Sequence, residues 1–415
     1  MQAVILAAGE STRFWPLNHR HKSLFKIMGS SLICHLIEGL NNSGVKEVIV
    51  VQCPKRDIER ELKTCPLPNI KIKYAIQKKP LGTGDAILRA EKLIKGQFFA
   101  LNAERIDCRD YLKLILEKSR KGKGGAVLLS FPTETPWQCG VFKIKGDRVL
   151  DIVEKPKKGK EPGNLINAGA YLLPNDFLGF LKKVPSHPYS LIAALLKYAN
   201  EKGLKTVELK KETFCLKYPW NLFEMNEYLS KNLKTKINGK VEKNCHIKGP
   251  VVIEQGTMVK SGSYIEGPVY IGKNCQIGPN CFIRPFTSIG DNCLIGQAVE
   301  VKNSIIEDGS KISHLNYVAD SIIGEKCNLG AGTILANLRF DGKSIHSKVK
   351  GKLVDTQRQK FGAVLGKGVK TGINVSIMPG VLIGSNSIIG PHSLVRENIK
   401  DNEIFYTKLQ KISRK

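Results

Sequence analysis

Beyond residue 240 the aliphatic side chains of this chain return at every sixth position. Val241, Ile247, Ile253, Val259, Ile265, Ile271, Ile277, Ile283, Ile289, Ile295 and Val301 are all Val or Ile. With those two types at roughly a fifth of residues, an unbroken run of that length does not arise by chance. Six is neither the helix period nor the simple alternation of a strand. A coil of three short strands accounts for it: each face turns one aliphatic inward, and three hexapeptides close a turn. Glycine and asparagine follow the aliphatics, as in Ile271-Gly272-Lys273-Asn274, where corners need a permissive backbone. The phase slips near residue 306, continues at Ile306, Ile312 and Val318, slips again, and resumes at Ile323, Leu329 and Leu335. A polar, lysine-rich insertion then runs from Ala336 to about Lys360, before Ile377, Ile383, Ile389 and Val395 complete the ladder. Cys275 and Cys281 share another six-spaced column, which reads as stacked thiols in preference to a metal site.

The first 230 residues follow a different grammar. Val48–Val51, Phe98–Leu101 and Ala126–Leu129 are short apolar runs bounded by polar residues, predicted as buried strands. Between them Ser31–Leu40 and Gly84–Ile94 carry helical patterns, and a final helix is predicted over about Pro219–Leu233. The alternation predicts an α/β layer with a largely parallel sheet. Met1 to Gly9 is apolar but lacks the basic start of a signal peptide, so it is read as a buried first strand.

Composition adds a little. The chain has 415 residues, long enough for two cores, and 65 basic against 37 acidic side chains, a net charge of +28. That field suits polyanions such as nucleotides, CoA, sugar phosphates, nucleic acid or an anionic membrane surface; a solvated lysine-rich surface suits it as well. No apolar run reaches eighteen residues, so no membrane span is expected. Eleven cysteines without a C-x-x-C pair read as reduced thiols, hence a cytoplasmic protein.

The informative residues of the coil are those that break its pattern: Val299-Glu300-Val301-Lys302-Asn303, Ser313-His314-Leu315-Asn316-Tyr317, and Cys327-Asn328 through Leu335-Ala336-Asn337. Over residues 241–396 these resemble the glucosamine-1-phosphate acetyltransferase domain of the bifunctional enzymes that make UDP-N-acetylglucosamine. Ala336-Asn337-Leu338-Arg339-Phe340-Asp341 and Lys370-Thr371-Gly372-Ile373-Asn374-Val375 are similar to the archaeal branch. The resemblance implies a left-handed parallel β-helix of hexapeptide repeats, a handedness that periodicity cannot supply, and a homotrimer. It implies His314 as the general base, since an amine attacks a thioester as its free base and a proton must leave. It places Arg284, Lys302, Tyr317 and Lys343 on the sugar phosphate, Asn328 and Asn337 on the sugar and its amine, and Glu300 in the active site. Acetyl-CoA would lie along the later coils, where Lys367 and Lys370 could meet its phosphates.

Leu6-Ala7-Ala8-Gly9-Glu10-Ser11-Thr12-Arg13, Pro16-Leu17 and Lys22 resemble the sugar-phosphate nucleotidyltransferase signature, whose loop wraps nucleotide phosphates with backbone N–H groups. A Rossmann-like, mostly parallel α/β domain follows from that resemblance. It implies nucleotide contacts at Ala8, Gly9, Arg13, Lys22, Gln77, Gly82 and Thr83, and sugar contacts at Gly140, Glu154 and Asn167. Gln77 suits uracil or thymine, hence UTP or dTTP. The sequence departs from the family at Ser11 in place of a second glycine and at His21 in place of a proline. The Mg²⁺-binding Gly-Asp is here Ala103-Glu104, and the second aspartate aligns with Cys215, a soft thiol ill suited to magnesium.

The domains so read are 1–230, a linker at 231–240, the coil at 241–396 and a basic tail at 397–415. Three functions remain open: a bifunctional acetyltransferase and nucleotidyltransferase; an acetyltransferase whose first domain only binds; and a non-catalytic assembly module like subunits of a translation initiation factor exchange complex. Small-molecule substrates, no membrane and no nucleic acid are the expected partners.

Overall fold

The computed structural model describes residues 1–407 apart from Pro68, Lys123, Lys211 and Glu212, with the backbone alone at Gln138. The part of the basic tail beyond Thr407 lies outside the described residues. Two compact units result: Met1–Glu10 with Ser31–Cys215, and Ser11–Ser30 with Leu216–Lys415.

The first unit is built on nine strands: β1 (Gln2–Ala7), β2 (Glu47–Gln52), β3 (Lys71–Ile76), β4 (Phe98–Asn102), β5 (Val127–Pro132), β6 (Gly140–Lys145), β7 (Arg148–Glu154), β8 (Leu165–Leu173) and β9 (Leu204–Glu208). They pair in the order β3-β2-β1-β4-β8-β5-β9-β7-β6. Only β7 and β8 run against the others, so the sheet is mostly parallel. The parallel strands β1 and β2 are apolar at successive positions because both faces are covered, as two-sided burial requires. Helix α1 (Leu32–Asn42) matches its predicted span closely, with Leu32, Ile33, Leu36, Ile37 and Leu40 buried at helical spacing. The helix expected over Gly84–Ile94 is shorter: α-helix covers Thr83–Arg89, and a 3₁₀ turn follows at Glu91–Leu93. Gln2 holds the far end of that turn, its side chain donating to the Leu93 carbonyl at 3.0 Å and accepting from Lys95 N–H at 2.6 Å. The reading of uniformly reduced cysteines needs one correction. Cys34, in the first turn of α1, is bonded to Cys65 at the end of the helix Asp57–Thr64. Spatial approach across thirty-one residues of sequence, which no short motif marks, brings that pair together.

In the second unit three parallel sheets of eight, nine and eight strands are visited in rotation, interrupted by the insertion after Leu335 and ending with a last strand, Ile404–Phe405, that skips one sheet. This is the arrangement of a parallel β coil with three strands per turn, and the six-spaced aliphatics line its interior. Ile253, Val259, Ile265, Ile271, Ile277, Ile283, Ile289, Ile295 and Val301 are all fully buried, as are Ile312, Val318 and Ile323. Cys275, Cys281, Cys293 and Cys327 are all buried in the coil, but the column differs from the one expected: Cys275 stacks with Cys293, whose N–H donates to Cys275 Sγ at 3.4 Å, while Cys281 lies on the next face above Ser263. The insertion is not shapeless: His346–Val349 and Lys352–Asp355 form an antiparallel hairpin. The ladder also outruns its predicted end, because Ile404–Phe405 pairs with Ile388–Ile389. The predicted connector helix occupies Leu222–Ser230, and Phe223 packs edge-on against the fully buried Phe361. No described helix is long and apolar enough to cross a membrane.

The segment Ser11–Ser30 is held to the coil by charge. Arg20 pairs with Glu307 and, at 2.6 Å, with Glu325; Lys26 pairs with Asp308 at 2.7 Å; and Met28 N–H donates to Ser288 Oγ at 2.9 Å. Burial pushes the Glu307 carboxyl up to about 7 even with Arg20 against it.

Two predictions follow from this packing. Ile289→Asp places an unpaired carboxylate among the inward aliphatics and is expected to cost more than about 4 kcal/mol; loss of the cooperative transition in a far-UV melt checks it. Glu307 binds its proton more tightly folded than unfolded, so stability is expected to fall as pH rises between the ordinary value of 4.5 and about 7. Glu307→Gln carries no such charge and should lack that slope, which thermal midpoints measured from pH 5 to pH 8 will show.

Candidate functional sites

The polar residues that interrupt the coil gather on one edge of it. Strands Phe282–Ile283, Glu300–Lys302, Tyr317–Ala319 and Ile334–Leu335 are successive rungs of one sheet, with Glu300 beside Tyr317 and Tyr317 beside Ile334. Inward Val301, Val318 and Leu335 fix the height of each rung, so the alternate positions must face outward. Arg284 Nη1 donates to Glu300 Oε1 at 2.9 Å, and the Arg284 guanidinium lies over the Phe282 ring at 5.4 Å. Glu300 thus orients a cation. The Tyr317 hydroxyl is pushed to a higher pKa mainly by burial and then by the nearby Glu300 and Asp320 carboxylates, against the pull of Arg284 and the Asn337 amide.

His314 ends the neighbouring strand Lys311–His314, three residues before Tyr317, and is exposed. Leu315 after it takes φ of 53°, which turns the chain sharply and leaves the imidazole at the corner. Its carbonyl accepts from Gly332 N–H at 3.2 Å, and among the described residues nothing hydrogen-bonds its ring. Asn328 is exposed on the next rung of the same sheet, between Lys311 and Lys370. Lys343 is exposed in the loop of the insertion, where its N–H donates to Asp341 Oδ1 at 3.2 Å, and among the described residues no side-chain hydrogen bond or ion pair joins it to the cluster. Lys367 is engaged by Glu325 at 2.9 Å, whereas Lys370 stays exposed.

One residue of this edge escaped the sequence reading. Asp320, 3% exposed, accepts from Asn303, Asn337 and Lys302. A signal for it did exist. Pairing partners are eighteen residues apart at Ile277 and Ile295, but seventeen at Ile295 and Ile312 and again at Ile312 and Leu329. Each phase slip is a corner one residue tighter, and those corners hold Asn303 and Asp320, both with positive φ. The insertion opens at the same corner one rung later.

In the first unit Ala8, Gly9 and Gln77 follow the carboxyl ends of parallel strands, where open α/β sheets bind ligands, whereas Gly140 opens a strand and Asn167 lies within one. Ala8 and Gly9 follow β1. Gln77 follows β3 and is buried; its Nε2 donates to the Gly82 carbonyl at 3.0 Å and to Asp85 Oδ2 at 2.8 Å. Gly82 has φ of 106°, and a Cβ there would meet the Pro188 backbone, so Thr83 opens its helix from a conformation only glycine holds easily. Gly140 and Glu154 pair across β6 and β7, and a Cβ at Gly140 would press on Glu154 Oε2. Asn167 Nδ2 donates to the Tyr171 hydroxyl, which burial pushes up to about 12. Arg13 and Lys22 belong to the segment that accompanies the coil: Arg13 is exposed, and Lys22 Nζ donates to the Leu216 carbonyl at 2.8 Å.

Glu104 is buried and its neighbour Arg105 more so. The Arg105 guanidinium keeps its proton through Asp107, Tyr111, Glu104 and Cys215 in spite of burial; Nη1 lies 3.8 Å from Asp107 Oδ2, and among the described residues neither Nε nor Nη1 has a hydrogen-bond partner. A hard dication needs several oxygen ligands. One carboxylate, one thiol and a permanent buried cation do not supply them, and among the described residues no group of three His, Cys, Asp or Glu could hold a metal. The residues present therefore supply one hard ligand beside a fixed cation, so Mg²⁺ would have to be held chiefly by the phosphates of the substrate.

Comparison with known proteins bears on both units. The family described as "Nucleotidyl transferase" matches residues 2–221, and "GMPPB C-terminal domain" matches residues 265–405. A "Bifunctional protein GlmU" of Methanococcus maripaludis strain S2 is 43% identical over 98% of each chain, and that of strain C7 is 45% identical over the same share. A "Bifunctional sugar-1-phosphate nucleotidylyltransferase/acetyltransferase" of Sulfurisphaera tokodaii is 38% identical over 98% of this chain and 100% of its own. An apo UDP-glucose pyrophosphorylase structure aligns with 56% of this chain and 100% of its own at 23% identity and a TM-score of 0.49. Because the archaeal likeness runs through both units together, the chain belongs to the family of bifunctional GlmU proteins.

Proposed function

We propose that the coil transfers acetyl from acetyl-CoA to the amine of glucosamine-1-phosphate, and that the first unit then transfers a nucleotidyl group from UTP or dTTP to the product, forming UDP-N-acetylglucosamine or a similar nucleotide sugar. The observation that carries the first step is the polar edge of the coil. Two cations, Arg284 and Lys302, share one sheet with Tyr317 and the Asn337 loop, and an exposed imidazole stands at the adjoining corner. A sugar phosphate needs the cations and an attacking amine needs the base. In this scheme the amine nitrogen attacks the thioester carbonyl, His314 accepts the proton released as the amide forms, the C–S bond breaks, and that proton passes to the departing sulfur so that CoA leaves as its thiol. Asn328, Asn337 and Glu300 border the sugar, Lys343 closes on its phosphate, and Lys370 meets the phosphates of CoA.

For the second step Gln77 supports a uracil or thymine reader. Its amide N–H groups are taken by Gly82 and Asp85, which leaves Oε1 as an acceptor suited to the imide N–H of those bases. Ala8, Gly9, Arg13, Lys22 and Thr83 would hold phosphates, and Gly140, Glu154 and Asn167 the sugar. Glu104 offers one carboxylate toward Mg²⁺, and nothing in the donor set adds a second hard ligand. Membership in a bifunctional family favours the two-step enzyme over a binding-only first domain and over a scaffold. The reading includes a left-handed coil, a homotrimer and a cytoplasmic setting; of the bounds expected for the domains, 1–230 and 241–396 are kept as the two cores, while pairing at Lys236–Ile237 and Ile404–Phe405 carries the coil into the expected linker and tail.

His314→Ala is expected to lower thiol release from acetyl-CoA by about 10²–10⁴-fold with the fold intact, because it removes a base and no inward aliphatic. Unchanged release with glucosamine-1-phosphate would overturn the assignment. For the first unit, pyrophosphate release from UTP and N-acetylglucosamine-1-phosphate is expected with Mg²⁺ present; no release would leave the acetyl step standing alone.

A further inference from the structure

Asp320 has no part in the transfer scheme above, yet three of the residues on that edge are tied to it. It sits at the corner between Tyr317–Ala319 and Ile322–Ile323, with φ of 48°. Aspartate and asparagine tolerate that left-handed region better than other side chains, and Asn303 holds the same corner one rung earlier with φ of 43°. The backbone locks the stack: Asp320 N–H donates to the Lys302 carbonyl at 2.9 Å, and Gly362 N–H donates to the Asp320 carbonyl at 2.8 Å. A Cβ at Gly362 would run into Ser321 Oγ, so the next rung offers the carboxylate no side chain. Its partners come instead from Asn303 Nδ2, which donates to Oδ1 at 2.6 Å, and from Asn337 Nδ2 and Lys302 Nζ, which donate to Oδ2 at 2.6 and 3.3 Å. A carboxylate buried this far is tolerated because all three partners are donors and one is charged.

We propose that Asp320 is a positioning residue for acetyl transfer, fixing the amide of Asn337 with its N–H₂ inward so that its oxygen is the atom offered to the substrate amine. The inference rests on the acetyl-transfer reading. A neutral amine attacks through its lone pair. An acceptor beside it binds an N–H and leaves that pair free; a donor beside it binds the pair and blocks attack. An amide can turn over at little cost when nothing distinguishes its two ends. Here the distinction is a full negative charge: the inward position attracts N–H and repels the carbonyl oxygen. The same carboxylate holds Lys302, so the cation for the phosphate and the acceptor for the amine are set by one group.

The test is steady-state thiol release by the full chain with glucosamine-1-phosphate and acetyl-CoA. Asp320→Asn keeps the size and the tolerance of positive φ but removes the charge that tells the two ends of Asn337 apart. It is expected to lower kcat/KM for the sugar by 30-fold or more, with KM for acetyl-CoA changed less than twofold. In an Asn337→Ala background the same change should cost several-fold less than in the wild type, because only its hold on Lys302 is then left to lose. The reversed pair, Asp320→Asn with Asn337→Asp, should recover at least tenfold over Asp320→Asn, since an inward donor from residue 320 again leaves an oxygen facing the amine. Full penalties that multiply in the Asn337→Ala background, or no recovery in the reversed pair, overturn the positioning role while leaving acetyl transfer in place. A wild-type chain that releases no thiol overturns the acetyl-transfer reading, and this inference with it.

Discussion

The coil depends on one demand repeated at every rung: an aliphatic side chain must arrive on the same face at the same height as the one below it. Each inward Ile or Val removes its whole side chain from water, a contribution of roughly 1.5–3 kcal/mol per residue. Parallel pairing carries that demand from turn to turn, so that Val259, Ile277, Ile295, Ile312 and Leu329 form one continuous column. A residue out of step would expose its own column and bury polar groups in its place. Corners are exempt. They lie between the inward positions, take left-handed backbone at residues such as Asn274, Asn280 and Asn292, and can change length without disturbing the core.

That exemption is where the chemistry sits. The two shortened corners and the long insertion all follow the same sheet, after Val301, Val318 and Leu335. In an otherwise periodic object the irregularities therefore stack vertically, bringing Lys302, Asn303, Asp320 and Asn337 within reach of one another. A regular coil surrounds them with rigid β structure, so the polar groups of the edge are held by a scaffold that has little freedom to relax. Asp320 at the centre of that stack concentrates one buried negative charge where three donors converge.

The first unit shows a different balance. Two of its strand ends lead into Ala8, Gly9 and Gln77, and Gln77 is held by Gly82 and Asp85 in a defined orientation. Beside Glu104, however, the structure sets a buried Arg105, and Cys215 lies within its field. The motif comparison placed Glu104 and Cys215 as imperfect metal ligands. The burial of Arg105 deepens that imperfection, because a fixed cation occupies the electrostatic environment in which a dication would be held, and Mg²⁺ is left chiefly to the phosphates of the substrate. A residue adjacent in sequence supplied the decisive charge, and its importance came from desolvation, which no motif records.

Much of this architecture was legible from spacing alone. A period of six dictates three faces and an inward column because it is a local rule, satisfied within each hexapeptide, and the burial of Ile277 or Ile289 follows from it. The strand and helix alternation of the first 230 residues is local in the same sense. Tertiary structure alone decided the rest: the Cys34–Cys65 bond, the tie of Gln2 to Leu93, the pairing of Arg20 with Glu307 and Glu325 across some three hundred residues, and Asp320 as the meeting point of Lys302, Asn303 and Asn337. Each of these depends on which groups the folded chain brings together and how far it withdraws them from water, and neither quantity is carried by the order of residues along one rung.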